Sequence, residues 1–221
     1  KRAMMMKRLY SLILACCLMI GTLIRPVSLL LPVGAASSDT AFSEWTTDGW
    51  TIKEEGEDTV LRNPGMSLER IYTKGTVNTA YLEYEVYIDA VNSDVDANIG
   101  ALYTAPNSHQ IFFEYNTVYK FARMRLFADG GDNHIAPAKS LELATGTWHR
   151  FTMVLEEDHL CWYINDQLVF ELHDSYNEQL TGGTWCIQGY NTAIRIKNAQ
   201  MYHSLSGAFA EWNTDGWDRA M

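Results

Sequence analysis

The segment GTWHRFTMVLEEDHLCWYINDQLV, residues 146–169, decides the fold. Apolar and polar residues alternate along both of its halves, which is the period of a half-buried β-strand. A turn at residues 156–158 would place its two halves side by side. The residues that then share a face are all apolar: Leu155 opposite Leu160, Met153 opposite Trp162, and Phe151 opposite Ile164. The segment therefore predicts an antiparallel hairpin with one buried face.

A second hairpin is predicted upstream, with its turn at residues 116–119. The inward pairs expected from this turn are Tyr115 with Lys120, Phe113 with Ala122, and Ile111 with Met124. The outward pairs are Glu114 with Phe121, Phe112 with Arg123, and Gln110 with Arg125. Residues 81–88 and 194–202 alternate in the same way, and no long window shows a helical period. The sequence thus predicts an all-β fold of two antiparallel sheets packed as a β-sandwich.

Composition and charge narrow the class of protein. Hydrophobic residues make up 47% of the 221-residue chain, which is enough to form a core. The chain has 27 acidic and 17 basic residues, and this surplus of acid argues against a nucleic-acid partner. Trp45 and Trp50 are expected to close the ends of the sandwich, and Trp148 is expected in the core.

Residues 1–36 are typical of a secretory signal peptide. A basic start precedes a long apolar run, and the small residues Gly34 and Ala36 stand where signal peptidase cleaves. We expect cleavage after Ala36, a short linker at residues 37–40, and a secreted protein without membrane attachment. A retained membrane anchor and a lipoprotein site at Cys16 are the alternatives.

A repeat connects the two ends of the sequence. AFSEWTTDGW at residues 41–50 returns as AFAEWNTDGW at residues 208–217, with eight of ten positions identical. Whole domains arranged in tandem repeat in this manner. We therefore expect one β-sandwich module at residues 41–203, a linker at 204–207, and the start of a second copy at 208–221. Further domains of the same chain are expected to follow.

The cysteines and histidines give no metal or disulfide pattern in the sequence. Beyond the leader, only Cys161 and Cys186 remain, and they either form one disulfide or serve as buried thiols. No histidine spacing makes a zinc signature with them. The histidines look scattered: His109, His134, His149, His159, His173 and His203.

Three segments together carry a family resemblance: residues 146–154, 160–169 and 194–201. They resemble the strands of laminin-G-like and concanavalin A-like jelly rolls in secreted bacterial proteins. The likeness is greatest to modules that accompany family-32 glycoside hydrolases, such as levanases and fructanases, and the 3-keto-disaccharide hydrolase domain is related. The resemblance implies a carbohydrate-associated jelly roll. Asn165-Asp166 stands where relatives usually have Asp-Gly, and Asn tolerates the left-handed geometry of that turn.

One outward face is the candidate carbohydrate-binding surface. It carries Gln110, Phe112, Glu114, Phe121, Arg123 and Arg125. The resemblance implies a concave sheet there. Arginine and carboxylate groups can hydrogen-bond sugar hydroxyls, and phenylalanine can cover an apolar sugar face. A neutral glycan, a fructan or a glucan, is the expected ligand, because the chain is acidic. The alternative is a solvated face on which Glu114 and Arg123 pair diagonally.

Other carboxylates suggest weaker candidates. Asp94, Asp96 and Asn98 could ligate calcium, but the spacing departs from an EF-hand and a polar loop explains the same residues. No other cofactor is expected. Glu83 and Glu85 share a strand face, which a solvated strand explains without glycoside hydrolysis. No catalytic residue is assigned.

Three functions remain open. The preferred one is a non-catalytic, carbohydrate-associated module of a secreted multidomain protein. The second is the N-terminal appendage of a family-32 fructan or sucrose hydrolase whose catalytic domain lies beyond the sequence. The third is a sandwich that itself cleaves a glycosidic bond.

Overall fold

The computed structural model describes residues 42–202, apart from 48, 64, 66, 77–79, 157–158 and 174–181. The leader and both linkers expected from the sequence lie outside the described residues. The expected second copy at 208–221 lies outside them as well.

The described residues form fifteen β-strands and no helix. The strands are β1 (Trp45–Thr46), β2 (Thr51–Glu55), β3 (Asp58–Arg62), β4 (Leu68–Thr73), β5 (Ala80–Val91), β6 (Asn98–Thr104), β7 (Gln110–Asn116), β8 (Phe121–Ala128), β9 (Gly131–His134), β10 (Lys139–Ser140), β11 (Trp148–Glu156), β12 (His159–Ile164), β13 (Gln167–His173), β14 (Thr184–Tyr190) and β15 (Thr192–Tyr202). In this part of the chain, no helix is available to cross a membrane.

The strands assemble into two antiparallel sheets. The larger sheet has the order β1-β4-β14-β6-β7-β8-β10, with β9 also paired to β8. The smaller sheet has the order β13-β12-β11-β5-β15-β3-β2. The two sheets pack face to face, so the predicted all-β sandwich is confirmed. β14 and β15 follow each other in sequence but insert into different sheets.

The core lies between the sheets and is rich in aromatic side chains. Phe113 of the larger sheet lies 5.9 Å from Trp162 of the smaller one and 5.8 Å from Trp185, measured between ring centroids. Phe151 lies 5.7 Å from Trp162. All four side chains are fully buried. Tilted and edge-on contacts of this kind add to the free energy gained by removing the rings from water.

The hairpin of β11 and β12 has the predicted register. Phe151 pairs with Ile164, Met153 with Trp162, and Leu155 with Leu160. The next hairpin, β12 to β13, turns through Asn165 and Asp166, whose φ angles are 52° and 64°. Two successive left-handed residues form the tight turn that matches strand twist, so the predicted geometry of this turn is also confirmed.

The predicted register of the β7–β8 hairpin is wrong by two residues. Asn116 pairs with Phe121, so Glu114 lies opposite Arg123 rather than Phe121. The cause is a side-chain contact, because Asn116 Oδ1 accepts hydrogen bonds from the backbone N–H groups of Val118 (3.1 Å) and Tyr119 (2.8 Å). This Asx turn moves the loop one residue onward. A shift of two keeps every side chain on its predicted face.

The tryptophans divide between the core and the surface. Trp45 and Trp50 are buried in the core. The expectation that Trp148 is a core residue is wrong, because it alternates with the inward Phe151 and faces outward, half-buried. Its ring meets Tyr87 edge-on at 5.4 Å, and Lys197 Nζ lies 4.7 Å from its centroid.

The two cysteines are free thiols in different sheets, Cys161 in β12 and Cys186 in β14. Of the two alternatives in the sequence, the structure supports buried thiols. Burial raises the pKa of Cys186 to about 12, because the thiolate would lose its hydration.

Candidate functional site

A row of polar residues crosses the outward face of the larger sheet. Cross-strand pairing places Arg70 beside Gln188, Gln188 beside Gly100, Gly100 beside Glu114, and Glu114 beside Arg123. We call these five residues the central row. They come from β4, β14, β6, β7 and β8, so strands distant in sequence meet on one surface.

The carboxylate of Glu114 is the most confined charge of the central row. Its side chain has 0% exposure. It accepts hydrogen bonds from Arg123 Nε at 2.8 Å, from Arg123 Nη2 at 2.7 Å and from Arg125 Nη1 at 3.0 Å. Burying an unpaired carboxylate costs several kcal/mol, and the hydrogen bonds from the two guanidinium groups offset this cost. Glu114 therefore fixes the positions of Arg123 and Arg125.

The two arginines are held on their other sides as well. Arg125 Nε donates to Asp132 Oδ1 at 3.0 Å, and Arg125 Nη2 donates to Asp132 Oδ2. Arg123 stacks over Phe121 at 5.3 Å and Arg125 over Phe127 at 4.7 Å, measured to the ring centroids. The side chains of Arg123 and Arg125 remain 21% and 19% exposed, so their edges can still meet a ligand.

The contact between Arg125 and Asp132 shifts the pKa values of both side chains. The hydrogen bond and charge of Arg125 hold the pKa of Asp132 below its ordinary value. The same hydrogen bond raises the pKa of Arg125. Both groups are therefore fully charged near neutral pH, which keeps the arginine cluster positioned.

A second hydrogen-bonded chain lies at the opposite end of the central row. Arg70 Nε donates to Gln188 Oε1 at 3.1 Å, and Gln188 Nε2 donates to Asn98 Oδ1 at 3.0 Å. Gln188 and Asn98 are buried. Buried amides are kept only when hydrogen-bonded, so this chain is also an ordered part of the face.

Gly100 separates the two hydrogen-bonded groups. A Cβ atom at this position would lie 2.0 Å from the carbonyl oxygen of Phe113 and 3.2 Å from the ring of Phe112. Only glycine allows β6 and β7 to approach this closely. The row consequently carries no side chain between Gln188 and Glu114.

Apolar and aromatic residues surround the central row. Beside it, on the same outward face, Leu102, Phe112 and Cys186 form a small buried cluster with Phe127 against it. Tyr72, on the same outward face of β4, is 41% exposed. The face thus combines fixed polar groups with an accessible aromatic ring.

The structure brings together most of the residues predicted for the carbohydrate-binding face. Glu114, Arg123 and Arg125 form one cluster, and Phe121 supports Arg123. Phe112 is on the expected face but only 5% exposed, so it offers little surface to a sugar.

Several residues of the face were missed in the sequence. They are Arg70, Asn98 as a member of this face, Gln188 and Tyr72. They belong to strands whose neighbours are far away in the chain. Gly100, inside an otherwise bulky strand, was the one local signal, because a glycine there marks a close approach of backbones.

The three residues proposed as calcium ligands lie in different surroundings. Asp94 and Asp96 are exposed in the loop before β6, whereas the Asn98 amide oxygen is bonded to Gln188. Calcium binding in that loop stays a prediction.

Glu83 and Glu85 lie on the outward face of the smaller sheet. Glu83 accepts hydrogen bonds from Tyr81 and Thr152, and Glu85 accepts one from Asn198 at 2.8 Å. These hydrogen bonds give both carboxylates a structural role within the smaller sheet.

The interpretation of the histidines as scattered is wrong for one pair. His159 and His173 face each other across β12 and β13, with Glu171 beside them. Among the described residues, these three form the group whose donor atoms could share a metal ion.

Comparison with known protein families assigns the chain to one of them. The profile of the 3-keto-alpha-glucoside-1,2-lyase-like domain matches residues 39–201. The chain belongs to this family. The family match covers both sheets and every residue of the central row. No curated protein matches the sequence of the chain.

Solved structures with the same fold include several carbohydrate-active proteins. The carbohydrate-binding module CBM66 from Bacillus subtilis has a TM-score of 0.55 and 16% identity, over 72% of this chain and 96% of the module. A GH16 protein from the mixed-linkage glucan locus of Bacteroides ovatus, in complex with a product, has a TM-score of 0.56 and 11% identity, over 70% of this chain and 85% of its own.

A prokaryotic beta-1,3-1,4-glucanase from a mouse hindgut metagenome has a TM-score of 0.54 and 12% identity, over 75% of this chain and 95% of its own. At these identities the likeness establishes the fold. The predicted relation to the 3-keto-disaccharide hydrolase domain is confirmed, whereas the association with family-32 hydrolases stays a prediction.

Proposed function

We propose that the chain recognises a neutral glycan on the outward face of the larger sheet, and that it does so without cleaving the glycan. The observation that carries this proposal is in the central row. There the fully buried Glu114, next to Gly100, fixes Arg123 and the neighbouring Arg125. A buried ion pair adds little stability compared with apolar packing, so a charge kept buried on the outward face of a sheet points to a functional site.

The chemistry of the face suits sugar hydroxyls. Arg123 and Arg125 present rigid donor edges, and Arg70 presents another at the far end of the row. Tyr72 offers an exposed ring to the apolar face of a pyranose or furanose. Groups that are already positioned lose little entropy when a ligand arrives, which favours recognition.

The carboxylates of the face do not favour hydrolysis. Glycosidases need two separately available carboxyl groups, about 5 to 10 Å apart. On the described strands of this face the carboxylates are Glu114 and Asp132, and Arg125 binds both. We therefore favour binding over hydrolysis.

The family match supports a second candidate. A 1,2-lyase acting on a 3-keto-α-glucoside moves the C2 proton to a base, so that negative charge develops on the keto oxygen, and the bond from C1 to the leaving group then breaks. The part-exposed edges of Arg123 and Arg125 are suited to stabilise such an oxyanion. Incubation with a 3-keto-α-glucoside, followed by product analysis, tests this activity directly.

The leader and the family match indicate where the protein acts and what kind of module it is. The leader at residues 1–36 supports a role outside the cell. We favour an independent recognition module over an appendage of a family-32 hydrolase, because the family that matches is a different one.

Calorimetry against levan, inulin and mixed-linkage β-glucan tests the binding proposal. We expect a Kd of about 10 µM to 1 mM, because an open sheet face buries little of a flexible glycan. Tyr72→Ala and Arg123→Lys should each weaken binding by about tenfold, a loss of about 1.4 kcal/mol. Arg150→Ala is the matched control, since Arg150 is an exposed arginine on the smaller sheet.

Thermal unfolding of each variant separates lost binding from lost structure. If neither Tyr72→Ala nor Arg123→Lys changes the affinity for the glycan, the binding site lies on another surface. Turnover of any of these polysaccharides would contradict a purely binding role.

A further inference from the structure

The outward side of the β12–β13 hairpin carries four side chains that can ligate a metal ion. His159 pairs across the strands with His173, and Cys161 pairs with Glu171. The two pairs are adjacent on one face, so the four side chains occupy the corners of a square. This hairpin lies on the smaller sheet, away from the central row, and takes no part in the function proposed above.

The donor atoms converge on a small volume. His159 Nε2 lies 3.0 Å from Glu171 Oε1, and His173 Nε2 lies 3.6 Å from the same oxygen. Two ligands of a tetrahedral zinc ion with bonds of about 2.0 to 2.1 Å are separated by roughly 3.3 Å. The two measured separations lie on either side of this value, so small side-chain movements would admit an ion.

The two imidazoles and the thiol lie close together but need a small rearrangement to bind one ion. The rings of His159 and His173 are parallel within 5° and stacked at 4.5 Å, so one ring has to turn before both ring planes can contain the ion. Cys161 Sγ lies 3.1 Å from His159 Nε2. The thiol lies outside the group of three mutually close donor atoms, so its side chain has to turn toward the ion to supply the fourth ligand.

The donor types select the kind of metal. Imidazole nitrogen, thiolate sulfur and a single carboxylate suit zinc and related transition metals, whereas calcium and magnesium require mainly oxygen ligands. The side chains of His173 and Glu171 are 71% and 44% exposed, which gives an ion access from solvent.

We infer that the β12–β13 hairpin binds one divalent transition-metal ion of the zinc class through His159, Glu171 and His173, with Cys161 as the fourth ligand. Because β13 is the edge strand of the smaller sheet, the ion joins that edge strand to its neighbour. The bound metal therefore stabilises the sheet edge.

Titration of EDTA-treated protein with ZnCl2 tests the inference. Calorimetry should show one ion per chain, and a hundredfold excess of zinc over Kd should raise Tm by about 5 to 10 °C. His173→Ala and His159→Ala should each weaken zinc binding by at least about tenfold. His134→Ala is the matched control, because His134 is an exposed histidine on the other sheet.

Cobalt reports the ligand geometry. CoCl2 should give the intense visible bands of a tetrahedral ion, together with a near-ultraviolet thiolate band that Cys161→Ser removes. Absence of zinc binding, or equal zinc affinity in His173→Ala, would overturn the inference. A wild-type cobalt spectrum without the thiolate band would overturn the assignment of Cys161.

Discussion

At position 114 a carboxylate faces outward from a sheet, yet none of its side chain is exposed. Arg123 and Arg125 occupy both of its oxygens. Position 100, on the same face, carries no side chain at all, because β7 approaches too closely to leave room for one. Glu114 and Gly100 together determine the shape of the outward face.

Glu114→Gln should destabilise the protein by about 2 to 3 kcal/mol, because two arginines would lose their shared counter-charge. Glycan affinity should fall as well, since Arg123 and Arg125 would no longer be fixed. Urea unfolding gives the change in free energy. Glu54→Gln is the control, since Glu54 is exposed and contacts only Thr59, and equal effects in the two variants would contradict the argument.

Gly100→Ala should be among the most damaging small substitutions on this face. The added methyl group would meet the carbonyl oxygen of Phe113 at 2.0 Å, so β6 and β7 would have to separate. We expect a loss of about 2 to 4 kcal/mol in the free energy of unfolding. Gly75→Ala is the control, because its Cβ would meet nothing within 4 Å.

Hairpins show what the sequence could and could not predict about the elements. The register of residues 151–164 followed from apolar pairing alone and is confirmed. The register of β7 and β8 was missed because a side chain, Asn116, determines where the turn closes. The alternation of apolar and polar residues cannot reveal such a contact, since a register shift of two residues leaves every side chain on the same face of the sheet.

Asp166→Gly tests the turn between β12 and β13. Asp166 has a left-handed φ of 64°, which glycine adopts without strain. The gain of about 0.5 to 1 kcal/mol should exceed the loss of the exposed ion pair with Arg150, worth about 0.5 kcal/mol or less. Arg150→Ala measures that ion pair separately. A clear loss of stability in Asp166→Gly by chemical unfolding would contradict the strain argument.

The attachment of β9 to β8 should depend on pH. The lowered pKa of Asp132 means that its pairing with Arg125 contributes fully above about pH 4, the ordinary carboxyl value. The contribution is lost as pH falls through the lowered pKa, when the carboxylate is protonated. Carboxyl NMR titration should show the shift directly. In Asp132→Asn this part of the acid dependence should vanish, and an unchanged acid profile would show that the pair contributes nothing.

At the scale of the whole molecule, the all-β class and the sandwich could be predicted from the sequence, whereas only part of the candidate binding face could. Glu114, Arg123 and Arg125 belong to one hairpin, so strand alternation alone placed them on one face. Arg70 and Gln188 join them through β4 and β14, whose pairing brings together distant parts of the chain. The proposed metal ligands could not be predicted from the sequence for a related reason, since they come together only through the exact pairing of β12 with β13.

Removal of residues 208–221 should change the free energy of unfolding by less than about 1 kcal/mol. The strands up to β15, which ends at Tyr202, already form both sheets, and none of their described pairings requires the later segment. Chemical unfolding of the full and shortened chains measures the difference. A larger loss would mean that the segment completes the module.

The positions of β14 and β15 have a consequence for biosynthesis. β14 lies between β4 and β6, and β15 lies between β5 and β3. A ribosome releases these strands last, so a nascent chain that stops short of them has two open gaps and four unpaired strand edges. Such edges invite pairing with other chains. Protease resistance on stalled ribosomes should therefore appear abruptly, only after residues 184–202 have left the exit tunnel.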